Sequence, residues 1–433
     1  MGPLAPSVTT PAAPAPARSR VYPWLVFAVV FGLLLSDYMS RQVLSAVFPF
    51  LKEDWALSDA NLATLSSVVA LTVGVLTLPL SVLADRWGRV RSLVLMALLW
   101  SGATLLCAFA SGYGEMLGAR FLVGVGEAAY GSVGIAVVLS VFAPRVHAAL
   151  SGAFMAGGSF GSVLGIALGG IVAVQLGWRS SFAVMAVFGL VLVVLFAIVV
   201  NERRLNRHAD APPAATPAGH RVPISTLFTN RAVLCAYLGS GLQMFVAAVL
   251  LSWMPSFFNR YYALGPDKAA TVAAGLVLLV GSGMVVCGVV TDRVARTDPA
   301  RKWTAAIAFC TISLICLTTG FGLDAGPAQL VLVGVGAFFA AGSSGPAAAM
   351  VARLTHPSVR ASAMGTLTVA NSLLGLALGP LVVGVLADRL GLATALQIAP
   401  LIYVAAIGAL MVGARVYPAG IRQLEATTTP APS

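Results

Sequence analysis

Charged side chains are scarce in this sequence. Aspartate, glutamate, lysine and arginine make up 9% of the 433 residues, whereas about a quarter of an ordinary globular chain is charged. Hydrophobic residues make up 59%, and the mean hydropathy is +0.93. A soluble core cannot hide so much apolar surface. The composition therefore excludes an ordinary soluble protein and predicts an integral membrane protein.

Residues that usually carry catalysis or bind metals are also few. The four histidines fall in predicted loops or at helix ends, and the five cysteines are scattered through apolar segments without metal-ligand spacing. The segment Gly124-Val125-Gly126 lies inside a predicted helix with no strand before it, so it is not a phosphate loop. The sequence also has no Walker motif. We therefore expect no enzyme activity, no metal site and no cofactor.

Long apolar segments are abundant. Each has about 20 residues or more, which is enough for a helix rising 1.5 Å per residue to cross roughly 30 Å of hydrocarbon. The pattern predicts an all-α integral membrane protein with 12 transmembrane helices, at residues 22–50, 60–84, 90–110, 114–142, 147–174, 179–201, 231–256, 267–291, 302–322, 327–352, 360–388 and 392–416.

Basic residues indicate how these helices are oriented. If the N-terminus is cytoplasmic, 19 of the 26 lysines and arginines lie on the inner side, six lie at outer ends, and Arg41 lies within a helix. Cytoplasmic loops of membrane proteins carry this excess of positive charge. We therefore expect both termini in the cytoplasm and no nucleic-acid partner. Arginine makes up 23 of the 26, which is typical of a GC-rich bacterial genome and favours an inner (plasma) membrane.

The chain divides into two halves around a polar, Pro-rich segment. We expect the first 20 residues to be a disordered tail, because they are rich in Ala and Pro and lack an apolar core, and the C-terminal segment ATTTPAPS to be disordered likewise. The predicted order is a tail at 1–20, an N-terminal six-helix bundle at 21–201, a cytoplasmic linker at 202–226, a C-terminal six-helix bundle at 227–416 and a cytoplasmic tail at 417–433.

The two halves resemble each other in sequence. GSVLGIALGGIV and NSLLGLALGPLV are identical at seven of twelve positions, and two shorter motifs match in the same order at nearly equal offsets. Chance likeness among Gly-rich helices is the simple alternative, but three ordered matches favour a duplicated unit. Two such pseudo-symmetric bundles can rock around a central site and so give alternating access. The pairs are 161–172 with 371–382, 85–89 with 292–296, and 144–152 with 357–365.

Asp37 and Arg41 lie near the middle of the first predicted helix. Insertion of an ionised side chain at the centre of a bilayer costs about 2.5–3.5 kcal/mol of free energy. They are four residues apart and share a face. Glu127 lies at a similar depth in the fourth predicted helix, and Arg120 precedes it by two turns. Burial disfavours an ionised carboxylate and a nearby arginine favours it, so motion relative to Arg41 could drive proton binding and release. A static ion-pair network, or an interfacial Arg120, is the structural alternative.

The loop LADRWGR, at residues 83–89, resembles the signature between helices 2 and 3 of the major facilitator superfamily. The likeness extends along nearly the whole chain, from about residue 21 to 416. It implies the major facilitator fold, with a gating loop that stabilises the outward-open state. A plain anchor at the inner surface is the simple alternative. The residues of this predicted loop are Asp85, Arg86, Gly88 and Arg89.

Within that superfamily the sequence is most similar to the spinster-like (lysolipid/sphingolipid) transporters. Ser40 departs from the spinster-like pattern, because many relatives have an acid at this position. A related group, the organic-anion and sugar-acid symporters, has a similar helix 1. The resemblance implies that Asp37 and Glu127 couple transport to protons and that Arg41, Arg120 and Tyr130 contact substrate or assist coupling. The matching stretches are 37–41, 120–130, 253–257 and 375–384.

Three functions stay open. The first is a proton-coupled secondary transporter of an amphipathic lipid-like molecule, such as a lysophospholipid, or of a hydrophobic drug. The second is a proton symporter of small organic anions in which Arg41 holds the substrate carboxylate. The third is a membrane scaffold or receptor without transport.

The character of the cavity separates the first two functions. A lipid needs an apolar wall open to the bilayer, whereas a small anion needs further basic or hydrogen-bonding groups. Only Arg41 and Arg120 offer buried cations, which favours the lipid-like substrate. We expect a monomer whose partners are this amphipathic small molecule and membrane lipid, driven by the proton gradient.

Overall fold

The computed structural model describes residues 21–143, 146–202, 204–205, 226–356 and 359–428, without the side chains of residues 85, 148, 226, 227, 361 and 425–428. Twelve helices in this part are long and apolar enough to cross a membrane, which confirms the predicted all-α fold. They are α1 (Val21–Trp55), α2 (Asp59–Ala84), α3 (Arg89–Phe109), α4 (Tyr113–Val141), α5 (Ala149–Leu176), α6 (Trp178–Val199), α7 (Arg231–Tyr261), α8 (Pro266–Val294), α9 (Arg301–Phe321), α10 (Pro327–Leu354), α11 (Ser362–Leu390) and α12 (Leu392–Leu424).

The helices form two six-helix bundles, α1–α6 and α7–α12. In the first bundle α1 packs on α5 and α6, and in the second α7 packs on α11 and α12. The bundles meet where α2 packs on α11 and where α5 packs on α8. An even number of spans places the start of α1 and the end of α12 at the same side, which we call the termini face. The other side is the opposite face.

Helix α12 is longer than predicted. The sequence analysis predicted an end at residue 416, but the apolar span reaches Leu424 and the helix itself continues to Thr428. Tyr417 packs on Trp303 with ring centroids 6.2 Å apart, so tertiary contacts hold the segment beyond the apolar stretch. The predicted tail thus begins as helix, while residues 1–20, 206–225 and 429–433 lie outside the described residues.

Two membrane helices are interrupted at matching points. The helical segments of α4 are Tyr113–Glu127 and Tyr130–Val141, and those of α10 are Pro327–Ala340 and Ser344–Leu354. The first segments end 213 residues apart, which is also the offset of one of the repeated motifs. The break in α4 directly follows Glu127 and therefore shapes the backbone beside a predicted site residue.

Candidate functional site

Close packing of α4 between its neighbours places Glu127. A Cβ atom on Gly124 would lie 2.9 Å from the carbonyl oxygen of Val69 on α2, and one on Gly126 would lie 2.6 Å from the backbone nitrogen of Trp100 on α3. Only glycine permits contacts this close, so the Gly-Val-Gly sequence seats α4 deeply against both helices. The side chain of Glu127, next in sequence, is held at a fixed depth facing α1.

Arg41 and Glu127 form a buried ion pair between α1 and α4. The Arg41 Nε and Nη2 atoms donate to the same carboxylate oxygen, Glu127 Oε2, at 3.0 and 2.7 Å. The Glu127 side chain is fully buried, whereas 18% of the Arg41 side chain is exposed. Arg41 is therefore the member of the pair that a bound molecule can reach.

Asp37 adds a second carboxyl group to this pair. It is 4% exposed, and its side chain interacts with the carboxyl group of Glu127. Asp37 Oδ1 and Glu127 Oε1 are both buried without a hydrogen-bond partner in the described part of the chain. The structure thus brings together Asp37, Arg41 and Glu127, as the sequence analysis expected. Their role in proton coupling stays a prediction.

Arg120 is fully buried and binds backbone rather than an acid. Its guanidinium donates to the carbonyl oxygens of Ser40 at 2.9 Å, Arg41 at 3.2 Å and Leu65 at 3.3 Å. These bonds join α4 to α1 and α2, and they fix the backbone at Arg41. Arg120 is near the cluster but points away from open space, so a positioning role fits it better than substrate contact.

Tyr130 lies in the core of the first bundle. Its hydroxyl donates to the carbonyl oxygen of Val30 at 2.6 Å, and its ring packs edge-on against Trp100 with centroids 4.9 Å apart. The side chain is completely buried. These contacts are those of a residue that orders the core beside Asp37. The predicted role of Tyr130 in substrate binding or coupling therefore stays a prediction.

The predicted gating loop lies between α2 and α3, where the α2 helix continues past Ala84 to Trp87 and Gly88 alone separates it from α3. Gly88 adopts φ +97°, a conformation that favours glycine, and its N–H donates to the carbonyl oxygen of Ala84 at 3.1 Å. The carboxylate of Glu202 lies directly over Gly88. Arg86 and Arg89 are exposed, whereas the side chain of Asp85 lies outside the described residues. The gating role of this loop stays a prediction.

Neutral polar pairs in the second bundle escaped the sequence analysis. Gln243 on α7 is completely buried and its Oε1 accepts a hydrogen bond from Ser343 at the break in α10. Its Nε2 atom is buried without a partner among the described residues. One turn away, Ser240 donates to Asn371 Oδ1 on α11 at 2.8 Å. The sequence signal for these pairs was a polar residue isolated in an apolar helix. Because these residues carry no charge, the sequence analysis did not select them as site residues.

An ion network closes the opposite face, and we call it the opposite-face latch. Asp59, which begins α2, accepts from Lys52 at 2.7 Å and from two Arg260 nitrogens at 2.7 and 2.8 Å. The Asp388 carboxylate at the end of α11 accepts from the backbone N–H groups of Asp59 and Ala60, at 2.7 and 3.0 Å. Arg260 and Asp388 belong to the second bundle, so the latch joins the two bundles.

Three comparisons place this architecture among known proteins. The family profile described as the Major Facilitator Superfamily matches residues 30–380. The hexuronate transporter of Bacillus subtilis (strain 168) is 25% identical over 325 residues, which cover 73% of this chain and 76% of that protein. Human protein spinster homolog 1 is 26% identical over 402 residues, which cover 87% of this chain and 74% of that protein.

A solved structure has the same fold. It is a bacterial homolog to the human lysosomal transporter spinster in an inward-facing and unoccupied conformation, with a TM-score of 0.79 at 19% identity, covering 95% of this chain and all of that one. The family match spans most of the chain, and several relatives, including the hexuronate transporter, are named as transporters. These findings confirm the predicted family, the similarity to spinster proteins and the absence of an enzyme function. The chain belongs to the major facilitator superfamily and is a multi-pass secondary transporter.

Proposed function

We propose that this transporter is a proton symporter and that Asp37 and Glu127 carry the coupling proton during alternating access. The observation that carries the proposal is the pair of buried carboxyl oxygens, Asp37 Oδ1 and Glu127 Oε1, that have no partner among the described residues. A single proton held between two adjacent carboxyl groups gives one a donor and the other an acceptor. Loss of that proton leaves two like charges in contact, which repel.

The charges of the cluster support coupling of protons to an anion. Asp37, Glu127 and Arg120 are buried, and the side chain of Arg41 beside them is 18% exposed. The cluster is neutral when both acids are ionised and carries one positive charge when a proton is bound. A bound proton thus favours an anion beside Arg41, the exposed member, and the anion in turn favours the proton. This reciprocity is the thermodynamic requirement for symport.

We propose a small hydroxylated organic anion as the substrate. Arg41 is suited to hold its carboxylate, since a guanidinium binds carboxylates with two donors. Gln243 Nε2 offers an unused donor, and the pairs Gln243–Ser343 and Ser240–Asn371 offer partners for hydroxyl groups. These are the hydrogen-bonding groups that the sequence analysis required for this class and did not find. The hexuronate transporter among the relatives supports the choice.

A lipid-like amphipathic substrate is the second candidate. The similarity to human spinster homolog 1 covers more of the chain than the similarity to the hexuronate transporter. Phe31, Leu35 and Tyr38 are partly exposed on the same helix as Arg41. They would supply an apolar wall beside a cation that holds a polar head group.

We further propose that the termini face is cytoplasmic and that the protein lies in the inner membrane. The basic loop that carries Arg86 and Arg89 lies at this face, together with most other basic residues in the loops. The excess of arginine and lysine on one side supports this orientation.

Substrate-dependent proton movement in proteoliposomes tests the proposal. Purified protein is reconstituted with a pH-sensitive dye inside, and glucuronate or a lysophospholipid is added to the wild type, Asp37→Asn and Glu127→Gln. We expect glucuronate to drive proton uptake in the wild type but not in Asp37→Asn or Glu127→Gln. Glu115→Gln should behave like the wild type and is the control, because this acid lies on the same helix α4 but is exposed and accepts hydrogen bonds from Ser111.

Each outcome assigns a function. A pH change with lysophospholipid alone would favour the second candidate. Substrate flux without any pH change would contradict proton coupling and indicate a uniporter. A lack of flux with both substrates, in protein that elutes as a folded monomer or oligomer on size exclusion, would contradict both proposed substrate classes.

A further inference from the structure

Tyr38 occupies the space between Arg41 and the glycine-rich face of α5. The Arg41 guanidinium carbon lies 5.4 Å from the centroid of the Tyr38 ring, in the range of a cation–π contact. On the other side, a Cβ atom on Gly158 would lie 2.9 Å from Tyr38 Cζ, and one on Gly161 would lie 2.8 Å from Tyr38 Cβ. The ring is therefore wedged against α5 and cannot move away from Arg41.

The direction in which Arg41 points needs an explanation. Asp37 precedes Arg41 by four residues on one helix, a spacing at which an acid and an arginine usually attract each other. Nevertheless, both of the Arg41 donors bind Glu127 Oε2, and Asp37 forms no ion pair in the part of the chain that the structure describes. Some contact must hold the guanidinium on the side of Glu127.

We infer that Tyr38 is a positioning residue whose ring, supported by the α5 glycines, keeps Arg41 on Glu127 and away from Asp37. The inference rests on the proposed function only in taking Asp37 and Glu127 as the proton site. A free guanidinium could rotate toward Asp37, the unpaired acid one turn away on its own helix, and stabilise its ionised form. The Tyr38 ring prevents this rotation, so Asp37 remains available to accept a proton.

The other groups around the cluster do not supply this restraint. The titratable side chains that face Arg41 are Asp37, Glu127 and Tyr38. Arg120 interacts with Glu127 and Arg41 at longer range, and Cys107 lies beside it. Its guanidinium donates hydrogen bonds to three backbone carbonyl groups. Tyr130 faces Asp37 but donates to Val30. Helix α5 presents glycines to Tyr38, which leaves the ring as the contact that sets the position of Arg41.

Infrared titration of the carboxyl groups tests the inference directly. The carboxylic acid C=O band is followed against pH in protein reconstituted in nanodiscs, and it is assigned with Asp37→Asn and Glu127→Gln. We expect Tyr38→Leu to move the midpoint of the Asp37 band to lower pH by about 1.5 units, the size of a desolvated cation–π contact. Tyr38→Phe keeps the ring and should keep the wild-type midpoint.

A glycine pair on α5 gives a matched control. Gly158→Ala would push the Tyr38 ring toward Arg41, which keeps the guanidinium on Glu127, so the midpoint should not fall as it does in Tyr38→Leu. Gly152→Ala adds the same methyl group where no atom lies within 4 Å, and should leave the midpoint unchanged.

The outcomes separate this inference from proton coupling. A midpoint that moves with Tyr38→Leu while liposomes show no proton movement would support the role of Tyr38 and contradict the proposed function. An unchanged midpoint in Tyr38→Leu would overturn the inference. So would an equal shift in Tyr38→Phe, or a wild-type band that does not titrate between about pH 4 and 10.

Discussion

Glu127 and Asp37 are both buried acids, yet they differ in what their removal would leave behind. Glu127 supplies the ion-pair partner of Arg41, and breaking a buried pair on one side costs about 3–5 kcal/mol because the remaining charge has no partner. Asp37 has no ion pair among the described residues and leaves no orphaned charge when neutralised. Substitution of Glu127 should therefore lower the stability of the protein more than substitution of Asp37, although both acids are proposed to carry the proton.

We predict that Glu127→Gln lowers the unfolding temperature clearly more than Asp37→Asn, because only the first substitution strands Arg41. Tryptophan fluorescence during heating of the detergent-solubilised protein measures this difference. Glu115→Gln, on the same helix but exposed, should behave like the wild type. Equal losses from Glu127→Gln and Asp37→Asn would show that the Arg41–Glu127 pair has no special share in stability.

Helix α4 carries the most constrained packing around the site. Its glycines allow contact with α2 and α3, and the helix breaks immediately after Glu127. The hydroxyl oxygen of Thr77 on α2 lies 2.7 Å from the carbonyl oxygen of Ala128 and 2.5 Å from that of Val73, so its one proton can serve the backbone group at the break or the one on its own helix. The position of the Glu127 carboxyl group thus depends on the whole element.

We predict that Gly126→Ala destabilises the protein by about 1–3 kcal/mol, the usual cost of overpacking, and reduces substrate-dependent proton uptake by displacing Glu127. The added methyl group meets the backbone of Trp100, which cannot yield as a side chain does. Thermal unfolding and the liposome assay measure the two effects. Gly131→Ala, where no atom lies within 4 Å, is the matched control, and equal behaviour of the two variants would contradict the packing argument.

Some elements and site residues could be predicted from the sequence and others could not, for physical reasons. Asp37, Arg41 and Glu127 could be found because a charge in an apolar helix is costly and therefore rare. The break after Glu127 could not, since Ala128 and Ala129 have high helix propensity. Gln243 and Asn371 lack charge, and their pairing depends on which helices meet across the second bundle.

At the scale of the whole molecule, one loop motif occurs at both faces. Leu-Ala-Asp-Arg-x-Gly is found at 83–88 at the termini face and at 386–391 at the opposite face. Gly88 and Gly391 have φ of 97° and 82°, and each is followed directly by the next membrane helix. In the second copy, Asp388 accepts two N–H groups at the start of α2, where a carboxylate is favoured by the helix dipole.

The opposite-face latch, Lys52, Asp59, Arg260 and Asp388, should therefore set the equilibrium between the two open states. Hydrogen bonds to a charged group contribute about 1.5–3 kcal/mol each, and about 1.4 kcal/mol changes a population ratio tenfold. Loss of one latch residue is thus enough to populate the alternative state.

We predict that Asp388→Asn raises the population open at the opposite face by about tenfold, because a neutral amide holds the start of α2 more weakly. Spin labels on cysteines at the exposed positions Glu53 in the first bundle and Lys268 in the second measure the distance by pulsed electron resonance.

Arg260→Gln should act in the same direction, since it leaves Asp59 with Lys52 alone as its ion-pair partner. Asp324→Asn, an exposed acid in the α9–α10 loop, should change nothing. If the distance distribution stays the same in Asp388→Asn and Arg260→Gln, the latch does not control which face is open, and apolar contacts between α2 and α11 must hold the closed face instead.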